Sequence, residues 1–128
     1  MPAKFYENEV KSALKNKRRL SPFLDELVFS HLKEVKTTSL TYIFCGDAYL
    51  LEMNKSFLDH DTYTDIITFD LSENKSALQG EIYISVDRVK ENALKFGATY
   101  PDELHRVIFH GALHLCGFKD KKKKKTEK

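Results

Sequence analysis

The stretch EIYISVDRVKENALKFGATYPDELHRVIFHGALHLCG, residues 81–117, contains the signals that decide the fold. It begins with a predicted strand, EIYISV, and Ser85 then caps a helix that ends at Gly97. Pro101 opens a second helix, which Gly117 ends by supplying a left-handed residue. The apolar stripes of the two helices are Val86, Val89, Ala93 and Phe96, and Leu104, Val107, Ile108, Gly111 and Leu115. The stretch therefore predicts a strand followed by two amphipathic helices.

Upstream of this stretch, shorter signals alternate between strand and helix. The predicted strands are FYENEV, LTYIFC and DIITFD, at residues 5–10, 40–45 and 65–70. One helix is predicted to start at Ser21, with Pro22 in its first turn, and another at Asp47. The order β-α-β-α-β-β-α-α predicts a single α+β domain over residues 1–128. In it, a mixed sheet of about four strands packs against helices, and the last two strands form a hairpin with a long connection.

The composition is that of an ordinary soluble domain. Hydrophobic residues make up 41% of the 128 residues and charged residues 31%, as in globular chains. No apolar run is long enough to predict a membrane span, and the N-terminus lacks the apolar core of a signal peptide. Cys45 and Cys116 form no CxxC pair and suggest no disulfide framework. These features predict a cytoplasmic protein that makes no membrane contact.

The positive charge is concentrated in two short runs. KNKRR, residues 15–19, and KDKKKKK, residues 119–125, hold ten of the 21 Lys and Arg residues, although the net charge is only +2. Such runs are most often solvated surface, but they can also contact phosphates. The second run matters because it follows a candidate active site.

That candidate site is HGALHLCGFKD, residues 110–120. Its spacing is that of the H-E-x-x-H-x-x-G-x-x-H zinc peptidases, in which three positions bind metal. His114 lies about 40° around the helix from His110, so both imidazoles leave one face. The break at Gly117 lets Asp120 reach the same ion. Cys116 lies about 240° from His110 and is predicted to be in the core. The histidines with no partner at a useful spacing are His31, His60 and His105.

Gly111 stands where those peptidases carry their general base. Peptide hydrolysis needs a base beside the metal-bound water, and glycine cannot supply one. Phosphodiester cleavage requires less, because RNA brings a candidate nucleophile in its own 2′-hydroxyl and the metal stabilises charge on the phosphate. Alternatively, the glycine only permits close helix packing. Both interpretations remain open from the sequence.

Three blocks, MNKSFLDHDTYTDIITFD, GEIYISVDRVKENA and HGALHLCGFKD, follow one another between Met53 and Asp120. Together they resemble the YbeY family, bacterial metal-dependent endoribonucleases that mature ribosomal RNA. The family signature H-G-x-L-H-L-x-G-[YF]-x-H is matched at His110, Gly111, Leu113, His114, Leu115, Gly117 and Phe118. The resemblance implies one metal ion and, as partners, ribosomal RNA and the small ribosomal subunit.

The sequence departs from the family pattern at two positions. Asp120 stands in place of the third histidine, so the predicted ligands His110, His114 and Asp120 form a two-histidine, one-carboxylate set. That set suits Zn²⁺ and also other divalent transition metals such as iron(II). Leu58 stands in place of the family's arginine, so that either another basic residue replaces the arginine or the activity is weaker. Lys121, Lys122 and Lys123 are the candidate substrate-binding residues.

The sequence therefore predicts a metal-dependent, single-strand-preferring endoribonuclease for ribosomal RNA maturation and small-subunit quality control, with no DNA substrate. The alternatives are a zinc hydrolase of another substrate and a non-catalytic ribosome-assembly factor with a structural metal. No catalytic residue beyond the metal ligands is identified. Family members generally continue with another helix, but five adjacent lysines repel one another and provide no apolar stripe. We therefore expect residues 121–128 to form a frayed or shortened end rather than a packed helix.

Overall fold

A computed structural model of the chain describes residues 3–58 and 64–117. Its elements are β1 (Lys4–Glu7), α1 (Lys17–His31), β2 (Thr37–Cys45), α2 (Asp47–Leu58), β3 (Ile66–Asp70), β4 (Ala77–Ser85), α3 (Val86–Phe96) and α4 (Tyr100–Leu115). This is the predicted order of elements, and the predicted α+β fold is confirmed. Each predicted strand is present, although β1 ends three residues before the FYENEV segment does. No helix in these two described segments has the length and apolar character needed to cross a membrane.

The four strands form one mixed sheet in the order β1-β2-β4-β3. β1 pairs with β2 and β2 with β4 in parallel, whereas β3 runs antiparallel to β4. The predicted hairpin is therefore the β3–β4 pair. Because β4 occupies an inner position, residues at both of its ends lie close to other strands and to the helices.

Hydrophobic clusters lie on both faces of the sheet. The larger one takes Tyr42 and Phe44 from β2 and Ile82 from β4, and packs them against α1, α3 and α4. The smaller one joins Cys45 and Ile67 to Leu50 of α2. Neighbouring residues in a strand point to opposite faces, so Phe44 and Cys45 belong to different clusters. The histidine-bearing helix α4 consequently lies on the more thickly covered face.

The predicted start of α1 at Ser21 is wrong. The helix begins at Lys17, and the Leu20 N–H donates to the Asn16 carbonyl at 3.0 Å. Ser21 lies inside the helix, where its hydroxyl donates to the Ala3 carbonyl at 2.6 Å. Pro22 is also inside the helix and removes one backbone donor near its start. A serine followed by proline is typical of a helix start, but here the serine makes a tertiary contact instead.

The boundaries of α3 and α4 lie at or within one residue of the predicted ones. Ser85 accepts a hydrogen bond from the Arg88 N–H at 3.1 Å, and Gly97 ends α3 with φ of 70°. Thr99 caps α4 by accepting from the Asp102 N–H at 3.2 Å. Gly117, with φ of 102°, follows the last turn of α4. Phe96 is the exception to the predicted stripes, since its side chain is 65% exposed.

Two glycines let α4 lie close against the sheet. A Cβ atom on Gly111 would be 2.8 Å from Ile82 Cγ2 and 2.9 Å from Ile66 Cδ1. A Cβ atom on Gly80 of β4 would overlap the side chain of Leu115. Packing therefore explains the glycine at position 111. This favours the interpretation that Gly111 permits close helix packing. The close approach also brings the start of β3 beside the middle of α4.

Candidate metal centre

His110 and His114 lie side by side on α4, as the helical spacing predicts. Their ring centroids are 4.4 Å apart with an angle of 49° between the ring planes. The helix beneath them is fixed by the Tyr42 hydroxyl, which donates to the Ile108 carbonyl at 2.8 Å in the core. The rings are close enough for one ion to contact a nitrogen of each, since transition-metal–nitrogen bonds measure about 2.0–2.1 Å.

The predicted third ligand, Asp120, lies outside the described residues, and so do Lys121, Lys122 and Lys123. Within residues 3–58 and 64–117, no three His, Cys, Asp or Glu side chains are grouped so as to hold a metal ion. The ligand triangle therefore stays a prediction. The structure describes two of its three members and the helix that carries them.

Asp65, just before β3, is a residue near this site that the sequence analysis treated only as part of a strand. Its backbone carbonyl accepts a hydrogen bond from the Ser85 N–H at 3.0 Å. Its side chain is 23% exposed. Burial raises the pKa of the Asp65 carboxyl above its ordinary value, while the charges of Arg106 and His110 act to lower it. Asp65 is thus a half-buried carboxylate within electrostatic reach of one histidine of the pair.

An ion pair between Arg106 and Glu103 lies one to two turns before His110 on α4. Nε and Nη2 of Arg106 donate to the two carboxylate oxygens of Glu103 at 3.0 and 2.7 Å. Glu103 is only 3% exposed, so this bidentate pair has a fixed geometry. Nη2 of Arg106 also lies 3.8 Å from Oδ2 of Asp65. The four-residue spacing from Arg106 to His110 is a signal that could have located this arginine from the sequence alone.

The remaining candidates have ordinary roles where they are described. Nδ1 of His31 lies 2.9 Å from the Leu27 carbonyl oxygen, and Nδ1 of His105 lies 2.7 Å from that of Pro101. Cys116 packs against the larger hydrophobic cluster, and burial raises the pKa of its thiol. Cys116 is partly buried and so lies at the edge of the core in which it was predicted. His60 lies outside the described residues.

Comparison with known proteins adds the family. The sequence pattern of the family described as Endoribonuclease YbeY matches residues 5–128. The chain belongs to the YbeY family. It is 47% identical to the Endoribonuclease YbeY of Cytophaga hutchinsonii, over 96% of this chain and 85% of the relative. It is 48% identical to that of Bacteroides thetaiotaomicron, over 82% of this chain and 74% of the relative.

A solved structure supports the fold of this YbeY family member. The solution structure of a Thermotoga maritima protein is 29% identical and has a TM-score of 0.53. The similarity covers 91% of this chain and 73% of the other. The family resemblance seen in the three sequence blocks is confirmed by the family match to residues 5–128.

The residues present fit the divalent ion that YbeY family membership implies. Two imidazoles on adjacent turns of one helix are donors that zinc and neighbouring transition metals accept. Asp65, 3.8 Å from the Arg106 that lies one turn before His110, adds a carboxylate near the pair, as is usual around metal-bound histidines. Leu58, where the family has arginine, is the last residue of α2. Its neighbour Phe57 is 68% exposed and packs edge-on against Phe69 at 6.0 Å.

Proposed function

We propose that this chain is a metal-dependent endoribonuclease that cuts single-stranded ribosomal RNA. Its role is in ribosomal RNA maturation and small-subunit quality control, in the cytoplasm, with residues 1–128 forming one YbeY-like hydrolase domain. The observation that carries the proposal is the pair of adjacent imidazoles, His110 and His114, on a helix within a family match to residues 5–128. The two alternatives, a zinc hydrolase of another substrate and a non-catalytic assembly factor, would also have to use this histidine pair.

The residues that would hold the ion are His110, His114 and Asp120. When bound, a divalent ion stabilises the negative charge that develops on the phosphate during cleavage. We propose zinc as the native metal, with another divalent transition metal compatible because Asp120 replaces a histidine. The protein's contribution is a fixed helix: α4 is capped by Thr99 and anchored by Tyr42, so the backbone that carries the two histidines is held in place.

Positive charge near the ligands would hold the RNA backbone. Lys121, Lys122 and Lys123 follow Asp120 directly, and lysine is a mobile point charge well suited to phosphate. Arg106 is 53% exposed, but its charge is compensated by Glu103 and Asp65. We therefore assign backbone binding to the lysines. Single strands should be preferred because their phosphates and bases can adapt to a small cleft, which a rigid duplex cannot do.

The position of Gly111 argues against a zinc hydrolase of the peptidase type. A side chain there would point at Ile66 and Ile82 of the sheet, where no substrate has access. A general base would have to come from elsewhere in the site. Leu58, which stands where the family has arginine, favours the alternative of a non-catalytic assembly factor. RNA binding without RNA cleavage would distinguish that factor from an endoribonuclease.

The test uses the purified full chain without a histidine tag, stripped of metal and reloaded with each divalent ion in turn. We expect cleavage of labelled single-stranded ribosomal RNA by the reloaded protein, and loss of cleavage with EDTA or His114→Ala. His105→Ala is the matched control, because it removes an imidazole from the same helix that does not face His110. Metal content and circular dichroism are recorded for each variant.

Two outcomes would contradict the proposal in different ways. Cleavage that survives both EDTA and His114→Ala would come from a contaminating nuclease. Metal-loaded protein that binds ribosomal RNA without ever cutting it would identify the assembly factor.

A further inference from the structure

We propose that Asp65 is a positioning residue of the metal centre: its carboxylate orients the imidazole of His110, and the Arg106–Glu103 pair holds that carboxylate in place. This inference rests on the proposed function, because it assumes that His110 binds an ion. It goes beyond that function by giving a role to three charged residues that the sequence analysis did not assign.

The backbone places Asp65 beside His110 through their neighbours. Ile66 pairs with Ile84 at the start of the β3–β4 ladder, and the Asp65 carbonyl accepts the Ser85 N–H at 3.0 Å. Ile66 Cδ1 lies where a side chain on Gly111 would be, 2.9 Å from the ideal Cβ position. Ile66 is therefore packed against Gly111, which places the preceding residue, Asp65, near the part of α4 that carries His110. The missing side chain at position 111 is what allows this approach.

An ion pair with Arg106 holds the Asp65 carboxylate in place. Arg106 Nη2 is 3.8 Å from Asp65 Oδ2, which is an ion pair but too long for a hydrogen bond. The carboxylate is thus attracted to the guanidinium and keeps acceptor capacity for another donor. Glu103 fixes Arg106 through two short hydrogen bonds from a buried position. Arg106 lies one turn before His110 on the same face of α4, and the charge of His110 acts to lower the pKa of the Asp65 carboxyl.

The chemistry of a metal-bound histidine calls for such a partner. An imidazole that gives one nitrogen to a metal carries a proton on the other, and that N–H is almost always donated to a carboxylate, a carbonyl or water. The donation fixes the tautomer and the ring plane, and removing such a partner typically lowers metal affinity about 10–100-fold. Asp65 is the carboxylate in position for this role, because it lies 3.8 Å from Arg106, one turn before His110, and next to Ile66, which packs against Gly111.

The competing role for Asp65 is direct proton transfer to or from the RNA. The two roles predict different losses. A positioning residue lowers the affinity for the ion and changes the state of the His110 ring. A general base lowers cleavage alone. The experiment therefore measures metal binding and ring protonation separately from cleavage.

The experiment compares the full chain with Asp65→Asn, Asp65→Ala and Asp65→Glu. Zn²⁺ affinity is measured by competition with a chromogenic chelator, and the His110 ring nitrogens are followed by NMR in the metal-free protein. We expect the Zn²⁺ dissociation constant to rise about 10–100-fold in Asp65→Ala, less in Asp65→Asn, and to be partly restored in Asp65→Glu. The His110 tautomer populations should change in the same order. Asp70→Asn is the matched control, because Asp70 is an exposed carboxylate at the other end of β3 that accepts only a local hydrogen bond from the Ser72 N–H.

Unchanged Zn²⁺ affinity and an unchanged His110 spectrum in both Asp65→Asn and Asp65→Ala would overturn the inference. If cleavage were lost in the same variants, Asp65 would be a general base instead. A parent chain that binds Zn²⁺ but never cuts RNA would contradict the proposed function and leave the metal-affinity comparison valid. If Asp65→Ala failed to fold, Asp65→Asn, which is nearly isosteric, would still decide the matter through the NMR measurement.

Discussion

Gly111 occupies the position at which zinc peptidases carry a general base, and in this fold that position faces the sheet. The contacts that a Cβ atom would make there, with Ile82 Cγ2 and Ile66 Cδ1, are both shorter than 3.0 Å. The same glycine therefore excludes a peptidase base and admits β3, with Asp65 at its start. At the scale of single residues, packing and chemistry are linked through this one missing side chain.

Gly111→Ala should destabilise the protein by about 1–3 kcal/mol, because the added methyl overfills a closely packed contact. The free energy of unfolding is measured by urea denaturation. Ile66→Val removes the Cδ1 atom involved, so the double variant should recover part of the loss. Gly46→Ala is the control, since the nearest side-chain atom to its ideal Cβ is at an ordinary 3.4 Å. Strict additivity of Gly111→Ala and Ile66→Val would contradict this explanation.

The sequence predicts His110 and His114 as neighbours because helical spacing is a local property. Asp65 could not be found in this way, since its proximity to His110 depends on how β3 packs against α4. Arg106 is intermediate: its spacing from His110 is visible in the sequence, but its bond to the buried Glu103 is not. The role of Asp120 as a metal ligand stays a prediction, because Asp120 lies outside the described residues.

Ser85 joins two elements, because its hydroxyl both caps α3 and bonds to α2. It accepts from the Arg88 N–H at 3.1 Å and donates to Asp47 Oδ1 at 2.8 Å, and it is fully buried. Its position at the end of β4 lets one side chain connect a strand and two helices. The cap was predictable from the sequence, whereas the bond to Asp47 depends on the pairing of β2 with β4.

Ser85→Ala should therefore cost more than loss of a helix cap alone. Caps are worth about 0.5–2 kcal/mol, and leaving partly buried partners of a hydrogen bond unsatisfied adds about 1–3 kcal/mol. Thr99→Ala is the comparison, because the Thr99 hydroxyl caps α4 by accepting from the Asp102 N–H. Urea midpoints of the two variants, at equal m-values, check the difference. A Thr99→Ala loss equal to or larger than that of Ser85→Ala would contradict the joining role.

The carboxylate of Glu7, at the end of β1, should account for part of the loss of folding stability in acid. The Ser12 N–H and hydroxyl both donate to Glu7 Oε2 at 2.8 Å, and these bonds lower the pKa of Glu7 below 4.5. A lowered folded-state pKa means that this stabilisation is complete above pH 4.5 and is lost as the pH falls through the folded value. Glu7→Gln should flatten that portion of the stability–pH curve. An unchanged slope between neutral pH and acid unfolding would show that Glu7 contributes nothing.

The start of α1 shows where element prediction fails. Ser21 has the local chemistry of a helix cap, but its hydroxyl donates instead to the carbonyl of Ala3, the residue before β1. The helix then extends back to Lys17 and places Lys17, Arg18 and Arg19 in its first turn. Positive charge in a first turn is unfavourable because of the helix dipole, so a helix start at these residues could not be expected from their chemistry.

Across the whole molecule, the order of elements and the mixed sheet were predictable because each strand and helix has its own periodic signal. The proposed site is less predictable, since α4 is the only part of it that a local signal indicates, and Asp65 lies near α4 only through tertiary packing. We propose that the basic run that follows Asp120 binds the RNA backbone. Its contribution is electrostatic and can be measured through the dependence of RNA binding on salt.

Replacing Lys121, Lys122 and Lys123 with glutamine should weaken RNA binding and reduce its salt dependence, with metal content unchanged. Each phosphate contact to a single strand contributes about 0.7 to the slope of log K against log salt, so the slope should fall by about 2 if all three bind. Glutamine at Lys11, Lys15 and Lys17 removes equal charge from exposed positions elsewhere. Fluorescence anisotropy at several salt concentrations gives both slopes. Equal slopes for the two triple variants would assign the effect to overall charge.

Asp120→His should retain or increase RNA cleavage, because it restores the three-histidine set that the YbeY family usually shows. An aspartate ligand partly neutralises the ion and leaves a bound water less acidic than three imidazoles would. The variant should therefore bind Zn²⁺ with equal or greater selectivity over iron(II), and its cleavage rate should rise at neutral pH. Glu73→His is the control for an added histidine, since Glu73 is exposed in the loop before β4. Initial cleavage rates and bound Zn²⁺ are measured for both variants and the parent. Loss of bound Zn²⁺ and of cleavage in Asp120→His, with Glu73→His unaffected, would show that the site is built around the shorter carboxylate and that the family's ligand set does not fit this chain.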